Sequence, residues 1–499
     1  MKQRSVKKNF LYSLVARMIG VLMPLIITPY VARVIGADGA GIYSYIASIV
    51  SYFVIFSNMG IESYAIREVA MHRDDPDFVK KFAWEITLLK VMLTAFFLGA
   101  YYIFTFFAVS GEQRTLYLLC SITLIATAFN FTWFFQGMER FNILAVASVI
   151  SKITFAALIF LFVREKSDLV LYVAIVVATP LIEYLFSTPF MLTGIKGEVH
   201  GRLRPFSHLR GCFIYFLPTI AVEIYTVVDK TMIGLITHSE FENGYYEYAE
   251  KLVKVPLTVI FAFNAIMQAR MAYYYAHEEG EAAHDLVRKS VNFTFMVALP
   301  MGFGIAAVAH SAIPLYLGDG FEKCVLLMYV LAPLIPIIAM SDCLGSLYYT
   351  PCGKRKTSAL FLMIGAVVNM VLNSFMIYFW QSAGAAIASV TAEFVITTLY
   401  IIYAKKCITF RELASIAYKY LIASAVMGAA VFFLNGHLPP TIPWLAAEVA
   451  VGVAVYVVML LLLRTRYFTE NALGVLSSIR GKFGKKGTDD DRESEQEDE

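Results

Sequence analysis

The sequence repeats one feature from end to end: apolar runs whose length fits a lipid bilayer. A spanning helix needs about 20 apolar residues, because lipid offers no hydrogen-bond partner to bare backbone groups. The chain has 499 residues, of which 59% are hydrophobic and only 16% are charged. About a quarter of the residues of a soluble protein are charged, so these charges are too few to cover a soluble surface. The pattern indicates a polytopic membrane protein.

Fourteen runs are long and apolar enough to be predicted as spans. They cover residues 9–33, 40–61, 82–107, 116–136, 143–163, 169–193, 212–236, 252–270, 291–313, 325–350, 358–380, 383–404, 420–434 and 443–463. A membrane β-barrel would show alternating segments of about ten residues, which this sequence lacks. We therefore expect an all-α bundle of about fourteen transmembrane helices.

Lysine and arginine in the connecting segments predict the orientation of these spans. With the N-terminus inside, the segments counted as inside hold 29 such residues, and those outside hold five. Basic residues accumulate on the cytoplasmic side of membrane proteins. Both termini are therefore predicted to be cytoplasmic, with no outside loop longer than residues 237–251.

The span pattern divides the chain into two lobes and a charged tail. The predicted segments are an N-terminal six-helix lobe (1–193), a cytoplasmic linker (194–211), a second six-helix lobe (212–404), helices 13 and 14 (405–463) and a charged tail (464–499). Basic residues from Arg480 to Lys486 are expected to lie on anionic headgroups. The acidic end from Asp489 to Glu499 is expected to be disordered.

A weak internal repeat supports the division into lobes. The segment Gly41–Tyr45 opens span two, and the similar segment Gly244–Tyr248 opens span eight, 203 residues later. The same offset places Arg67 on Arg270, each at the end of its span. Both spans run from outside to inside, so the repeats are expected to be parallel about an axis normal to the membrane. Such repeats suit alternating access between two lobes.

The sequence lacks the common motifs of nucleotide-binding and metal-dependent enzymes. Around Gly353 the upstream glycine and the following serine or threonine of a nucleotide-binding loop are lacking. His277 is not followed by the second histidine of a zinc protease helix. The six cysteines form no C-x-x-C pair, so we expect no disulfide framework, metal or cofactor. These features favour a carrier over an enzyme.

Ionisable residues inside the predicted spans are the candidate functional residues, because such residues are costly in lipid and face a cavity or each other. The basic ones are interpreted as contacts of an anionic substrate or as members of structural ion pairs; they are Arg17, Lys90 and Lys152. Glu223 and Lys230 are seven residues apart and share a helix face, which favours a structural or gating pair. Asp229 joins these two as a candidate for coupling or gating, and Glu183 is expected to make a structural hydrogen bond.

Motifs between residues 9 and 139 resemble those of a known family. They are Asn9–Tyr12, Pro29–Gly36, Gly39–Tyr43, Asn58–Ile61, Ile66–Glu68 and Phe134–Glu139. This stretch is similar to the bacterial polysaccharide and O-antigen flippases of the multidrug/oligosaccharidyl-lipid/polysaccharide exporter superfamily. Beyond it, the resemblance rests on the span count and the two-lobe pattern.

The resemblance implies a substrate, a site and a location. The substrate would be an oligosaccharide repeat unit on undecaprenyl pyrophosphate, moved from the inner to the outer leaflet of the bacterial cytoplasmic membrane. A central cationic cavity would hold the pyrophosphate or acidic sugars through Arg17, Lys90, Lys152, Arg67 and Arg270. A polysaccharide polymerase and glycosyltransferases are the implied protein partners.

Two alternatives stay open at this stage. A multidrug cation extruder of the same superfamily would need acidic residues to dominate the N-terminal cavity. Spans one, three and five instead carry Arg17, Lys90 and Lys152, with Glu85 near the cytoplasmic edge. A membrane glycan polymerase or ligase is the second alternative, and it would be expected to have a larger external loop.

Overall fold

The computed structural model describes residues 6–469, apart from 112, 200, 278, 279, 406 and 466. All secondary structure in these residues is helical, with sixteen α-helices, two short 3₁₀ helices and one π-helical segment. The expected all-α class is therefore confirmed. Most of the predicted charged tail, from residue 470 onward, lies outside the described residues.

The α-helices follow one another with short connections. The first eight are α1 (Val6–Asn58), α2 (Ile61–Met71), α3 (Pro76–Ala108), α4 (Gln113–Ala128), α5 (Thr132–Gly137), α6 (Phe141–Phe162), α7 (Leu169–Gly194) and α8 (Leu209–Thr237). The next eight are α9 (Glu240–Lys254), α10 (Leu257–Ala276), α11 (Gly280–Tyr316), α12 (Glu322–Leu331), α13 (Leu334–Leu344), α14 (Arg355–Tyr403), α15 (Phe410–Asn435) and α16 (Ile442–Leu462). The 3₁₀ helices are Lys166–Asp168 and Pro205–His208, and the π-helical segment is Gly345–Tyr349.

Two helices are too long to be single spans, and each contains one non-helical residue. The 53 residues of α1 would extend about 80 Å at about 1.5 Å per residue, against a hydrocarbon core of about 30 Å. Gly36 interrupts α1 with φ 79° and ψ 178°, a conformation that glycine reaches without a Cβ penalty. Gln381 interrupts α14 with φ 53° and ψ −131°. Each break falls between two predicted spans.

Ten helices in the described part of the chain are long and apolar enough to cross a membrane. The bent pair α9 and α10, with 44° between its two helices, brings the number to eleven if it is one span. Two of the ten contain the breaks in α1 and α14, and each of these two helices has the length of two spans. The expected count of fourteen is consistent with these helices and stays a prediction.

The chain forms two compact units. The first unit contains described residues 6–258, 313–331 and 354–396. The second contains described residues 259–312, 332–353 and 397–469. The two six-helix lobes expected at 1–193 and 212–404 remain a prediction.

An aromatic core in the first unit accounts for the motif Phe134–Glu139. Trp133, Phe134 and Phe135 of α5 are fully buried together with residues of α2 and α3. Gly137, which ends α5, lies against Val69 of α2, so a side chain at this position would collide with the valine. The motif thus packs the short α5 against α2 and α3, so its role is structural.

A carboxylate of α3 binds the C-terminal part of the predicted cytoplasmic linker. Glu85 of α3 accepts a hydrogen bond of 2.9 Å from the backbone N–H of Arg204. The other oxygen of Glu85 lies 2.9 Å from Nε2 of His208. The Tyr64 hydroxyl lies 3.0 Å from Nδ1 of the same imidazole. Glu85 therefore holds the linker in place.

The segment 237–251 is mostly helical, so the prediction of an irregular outside loop there is wrong. It forms most of α9, whose N-terminus is capped by Ser239, with the hydroxyl accepting from the N–H of Glu242 at 3.5 Å. The Glu242 carboxylate is buried and accepts from Lys323 at 2.5 and 2.7 Å and from the hydroxyl of Ser382 at 2.6 Å. These bonds join α9 to α12 and α14, so the segment belongs to the packed body of the first unit.

Candidate functional site

Lys90 is the most completely enclosed of the candidate basic residues whose side chains the structure describes. Its side chain in α3 has no exposed surface. The ammonium donates to the backbone carbonyl of Asn130 at 3.0 Å and lies 3.8 Å from a carboxylate oxygen of Glu62. The Asn130 amide also donates to Glu62 at 2.5 Å. In this conformation Lys90 connects α3 to α2 and to the segment that precedes α5. Its ammonium is paired with Glu62 and does not face an open cavity.

Lys152 lies half-buried in α6, beside the first half of α1. Its Nζ is 3.1 Å from the position that a Cβ on Gly20 would occupy. The preceding residue, Ser151, donates to a carboxylate oxygen of Glu183 in α7 at 3.0 Å. The hydrogen bond expected at Glu183 is therefore present. Lys152 keeps more freedom than Lys90, because its side chain is partly exposed.

The other predicted site residues have diverse surroundings. Arg17 falls within α1, and its side chain lies outside the described part of the structure. Arg67 of α2 is exposed and donates from Nη1 to the Tyr215 hydroxyl of α8 at 2.9 Å. Arg270 of α10, in the second unit, and Glu223 of α8, in the first, are both exposed. Their roles in binding or coupling stay predictions.

Asp229 is buried in α8 with hydrogen-bond partners that are all neutral in the described chain. Its carboxylate accepts from the Tyr246 hydroxyl at 2.5 Å, the Ser389 hydroxyl at 2.6 Å and the Asn373 amide at 2.7 Å. Asn373 in turn donates to Asn369 at 3.1 Å. A carboxylate removed from water needs a proton, a cation or several donors. Asp229 has the donors and lacks a basic side chain at ion-pair distance among the described residues.

Lys230, the neighbour of Asp229, is paired with α9 instead of with Glu223 as expected. Its ammonium is 2.5 Å from a carboxylate oxygen of Glu247 and 3.2 Å from one of Glu250. Lys254 also contacts Glu250, at 2.6 Å. The expectation failed because seven residues along one helix give a shared face but not contact, whereas a packed neighbouring helix supplied acids at shorter range.

Helices α1 and α9 of the first unit approach each other closely at two glycines. The backbone at Gly41 touches that at Glu240 and Gly244, and the backbone at Gly244 touches that at Ala37. A Cβ on either glycine would overlap a carbonyl group of the facing helix. Both glycines therefore permit backbone-to-backbone packing, as small residues do in membrane helices.

This contact also joins positions that the internal repeat relates. Gly41 faces Gly244, at an offset of 203 residues. Ser44 donates to Glu247 at 2.9 Å, at the same offset of 203. Each of these residues meets the position that the predicted repeat gives as its counterpart, and the repeat itself stays a prediction.

The acidic partners in α9 were missed by sequence reasoning, although two signals were present. The first is the pair Ser239 and Glu242, whose separation of three residues is that of a helix capping box. The second is that Glu247 and Glu250 each precede a lysine by four residues, the spacing of ion pairs along a helix. Both signals indicate a helix at the position where low hydropathy suggested a loop.

The fold is shared with solved membrane transporters. A structure described as lipid II flippase MurJ in an inward closed conformation matches with a TM-score of 0.72 at 16% identity, covering 90% of this chain and 98% of that one. An inward-facing multidrug resistance MATE family transporter of the MOP superfamily matches with a TM-score of 0.59 at 12% identity, covering 81% and 98%. The protein thus has the fold of this class of transporters.

Sequence comparison gives the family. The profile described as "Polysaccharide biosynthesis protein" matches residues 6–269, and the chain belongs to this family. A putative O-antigen transporter of Escherichia coli (strain K12) is 20% identical over 404 residues, covering 80% of this chain and 97% of the relative. A probable low-salt glycan biosynthesis flippase of Haloferax volcanii is 18% identical over 424 residues, covering 84% and 87%. The resemblance drawn from residues 9–139 is confirmed.

Proposed function

We propose that the protein is a flippase that moves an oligosaccharide on undecaprenyl pyrophosphate from the inner to the outer leaflet, for cell-surface polysaccharide synthesis. The observation that carries the proposal is the fold, which a lipid II flippase shares over 90% of this chain. Family membership over residues 6–269 and the relatives named as an O-antigen transporter and a glycan flippase support it. Glycosyltransferases that make the substrate and a polymerase that consumes it are the expected partners.

The chemistry of the substrate explains why basic residues occur inside the spans. A pyrophosphate cannot cross hydrocarbon unaided, because its charge loses hydration there. Basic side chains in a wet cavity replace part of that hydration while the lipid tail stays in the bilayer. We assign this role to Arg17, Lys152, Arg67 and Arg270. Lys90 reaches the substrate only in a conformation in which it leaves Asn130 and Glu62.

Arg17 provides the direct test of this function. A guanidinium can give a phosphate two parallel hydrogen bonds, whereas a lysine acts as a point charge. Arg17→Ala is expected to insert and fold normally but to transport poorly, and Arg17→Lys to restore transport only in part. Flipping of a lipid-linked oligosaccharide in proteoliposomes, beside membrane abundance and thermal stability, measures both properties.

The outcomes of this test separate two roles for Arg17, a substrate contact and a structural ion pair. Low abundance of folded Arg17→Ala would show a structural ion pair instead of a substrate contact. Normal abundance with normal flipping would contradict both roles. Arg355→Ala is a suitable control, because Arg355 is an exposed basic residue at the N-terminus of α14 and has no part in the proposed site.

Asp229 is the group that we propose for energy coupling, since the sequence offers no nucleotide site. Its buried carboxylate can alternate between its three neutral donors and a bound proton or monovalent cation. Asp229→Asn should keep the shape of the side chain and remove the charge. Transport driven by an ion gradient is expected to fall at least about tenfold, while gradient-independent exchange of substrate persists.

Asp319→Asn is the matched control for this prediction, because Asp319 is exposed in the connection between α11 and α12. Proteoliposomes with and without an imposed ion gradient give the comparison. Equal stimulation of wild type and Asp229→Asn by the gradient would exclude Asp229 from coupling. Strict dependence of transport on ATP hydrolysis would exclude gradient coupling altogether.

We further propose that both termini are cytoplasmic and that the host membrane is the bacterial inner membrane. The distribution of 29 basic residues against five supports this orientation. Asp319→Cys, in a variant that lacks the native cysteines, should react with an impermeant thiol reagent added outside the cell. Labelling only after the membrane is opened would reverse the orientation.

The two alternative functions are less well supported. The MATE-type structural match allows a multidrug exporter, but an organic cation would meet Lys152 and the other basic residues of the N-terminal helices unfavourably. For the second alternative, a glycan polymerase or ligase, the relatives with similar sequences are named as transporters or flippases. We infer that the protein is a carrier and not an enzyme. Sugar transfer by the purified protein would contradict this inference.

A further inference from the structure

A pocket of about 370 Å³ lies in the second unit, between α11, α15 and the segment that follows α16. Its size is within the range of ligand pockets, about 300–1,000 Å³. The pocket is lined by three basic side chains and one acidic side chain. The basic ones are Arg288, Lys289 and Lys419, and the acidic one is Asp285. We propose that this pocket binds the phosphate headgroup of an anionic membrane phospholipid.

The pocket keeps basic donors available for a ligand. Lys289 is paired with Asp285 at 2.6 Å. Lys419 makes one long hydrogen bond, 3.3 Å, to the backbone carbonyl of Arg464. Arg288 has no hydrogen bond or ion pair from its guanidinium to any described residue. The nearby acid Glu412 uses one carboxylate oxygen in the capping box at the start of α15, where it accepts from the N–H and the hydroxyl of Thr409 at 2.9 Å.

The level of the pocket relative to the predicted membrane spans favours a lipid over a soluble anion as its ligand. Its lining includes Asn292 and Tyr420, whose side chains meet at 3.4 Å. These residues stand where the predicted spans 291–313 and 420–434 begin, so the pocket lies at the level of the headgroups. Basic pockets between helices on the cytoplasmic side are typical sites for anionic lipid headgroups.

The segment after α16 completes the pocket with hydroxyl-bearing side chains. Thr465 and Tyr467 line it next to Ser415 of α15. The Ser415 and Thr465 hydroxyls donate to the carbonyls of Glu412 at 2.7 Å and Leu460 at 3.1 Å, so their oxygens can accept from the glycerol hydroxyls of a phosphatidylglycerol or cardiolipin headgroup. The competing occupant is the acidic end of this chain, residues 489–499, and the position of the pocket at the membrane boundary favours the lipid.

Photolabelling tests the proposal with the full-length protein. The protein is reconstituted in neutral phosphatidylcholine vesicles that contain a photoreactive phosphatidylglycerol, and the labelled peptides are mapped. Label is expected on peptides that contain residues 285–292 or 415–420. The double variant Arg288→Gln, Lys419→Gln should lose about tenfold or more of this label, because each basic residue adds to the attraction of an anionic headgroup.

Three further samples make the result decisive. Lys405→Gln with Arg411→Gln removes two exposed charges from the same predicted face and should leave the label unchanged. Arg288→Lys with Lys419→Arg keeps both charges and should retain most of the label, which separates loss of binding from misfolding. Excess unlabelled phosphatidylglycerol should displace the probe.

Other results would overturn the proposal. Unchanged labelling in the Gln double variant would show that the pocket does not bind the headgroup. Displacement by inorganic phosphate as effective as that by phosphatidylglycerol would identify a site for a soluble anion. Displacement by a peptide of residues 489–499 would assign the pocket to the chain's own tail. Preferential displacement by undecaprenyl phosphate would make it part of the substrate path.

Discussion

Lys90→Met should lower the free energy of unfolding by about 3 kcal/mol, because it leaves one buried carbonyl without a donor and one carboxylate without its counter-charge. The methionine stem replaces the aliphatic part of lysine, so packing in α3 is largely kept. The unpaired carbonyl is that of Asn130, and the carboxylate is that of Glu62. Glu62 is 41% exposed and can recover some hydration, which keeps the loss below that of a fully buried pair.

A double-mutant cycle in detergent micelles can isolate this interaction. Glu62→Gln alone should destabilise the protein, whereas the combination with Lys90→Met should cost less than the sum of the two. Lys81→Met, a partly exposed lysine in the same helix, is the control and should change stability by less than about 0.5 kcal/mol. A stable Lys90→Met that transports poorly would instead support direct contact of Lys90 with the substrate.

Gly244→Ala should reduce transport by about tenfold or more, because the added methyl group would overlap the backbone carbonyl of Ala37. No rotamer change relieves a clash with backbone, so α1 and α9 must separate. Overpacking costs about 1–3 kcal/mol, and a bias of this size changes the ratio of two conformations about 5- to 150-fold. Alternating access requires both conformations, so turnover falls. Flipping in proteoliposomes measures the loss.

Gly99→Ala is the matched control for this prediction. Gly99 lies in α3 with open space around its Cβ position, so the same substitution adds no clash there. It should leave transport unchanged and raise helix stability by up to about 1 kcal/mol. Gly41→Ala should behave like Gly244→Ala, because its Cβ would meet the carbonyl of Glu240. Normal transport by both variants would mean that α1 and α9 need not close during the cycle.

Features set by local sequence could be predicted well. The breaks at Gly36 and Gln381 fall in the short gaps between apolar runs, since a run longer than the bilayer must turn somewhere. The helical class followed from the same runs. The family resemblance depended on motifs such as Phe134–Glu139, which the structure explains as tight packing of α5.

Pairing between side chains could not be predicted, because it depends on which helices become neighbours. Lys230 binds Glu247 and Glu250 only because α9 packs beside α8, and the low hydropathy of α9 had suggested an exposed loop. Likewise, nothing in the sequence near Lys90 points to Glu62, which lies in another helix. Charges inside spans can be recognised from sequence, but their partners require the fold.

Between α1 and α9, residues that are 203 positions apart meet, which is the contact expected beside the axis of the predicted repeat. In a dimer of identical subunits, each residue beside such an axis faces its own copy, so an acid would face an acid. Here the position that holds Glu247 on one side holds Ser44 on the other, and the hydroxyl donates to the carboxylate at 2.9 Å. Covalent joining of the two halves thus permits a donor and an acceptor at a place where identical subunits would have to present the same group twice.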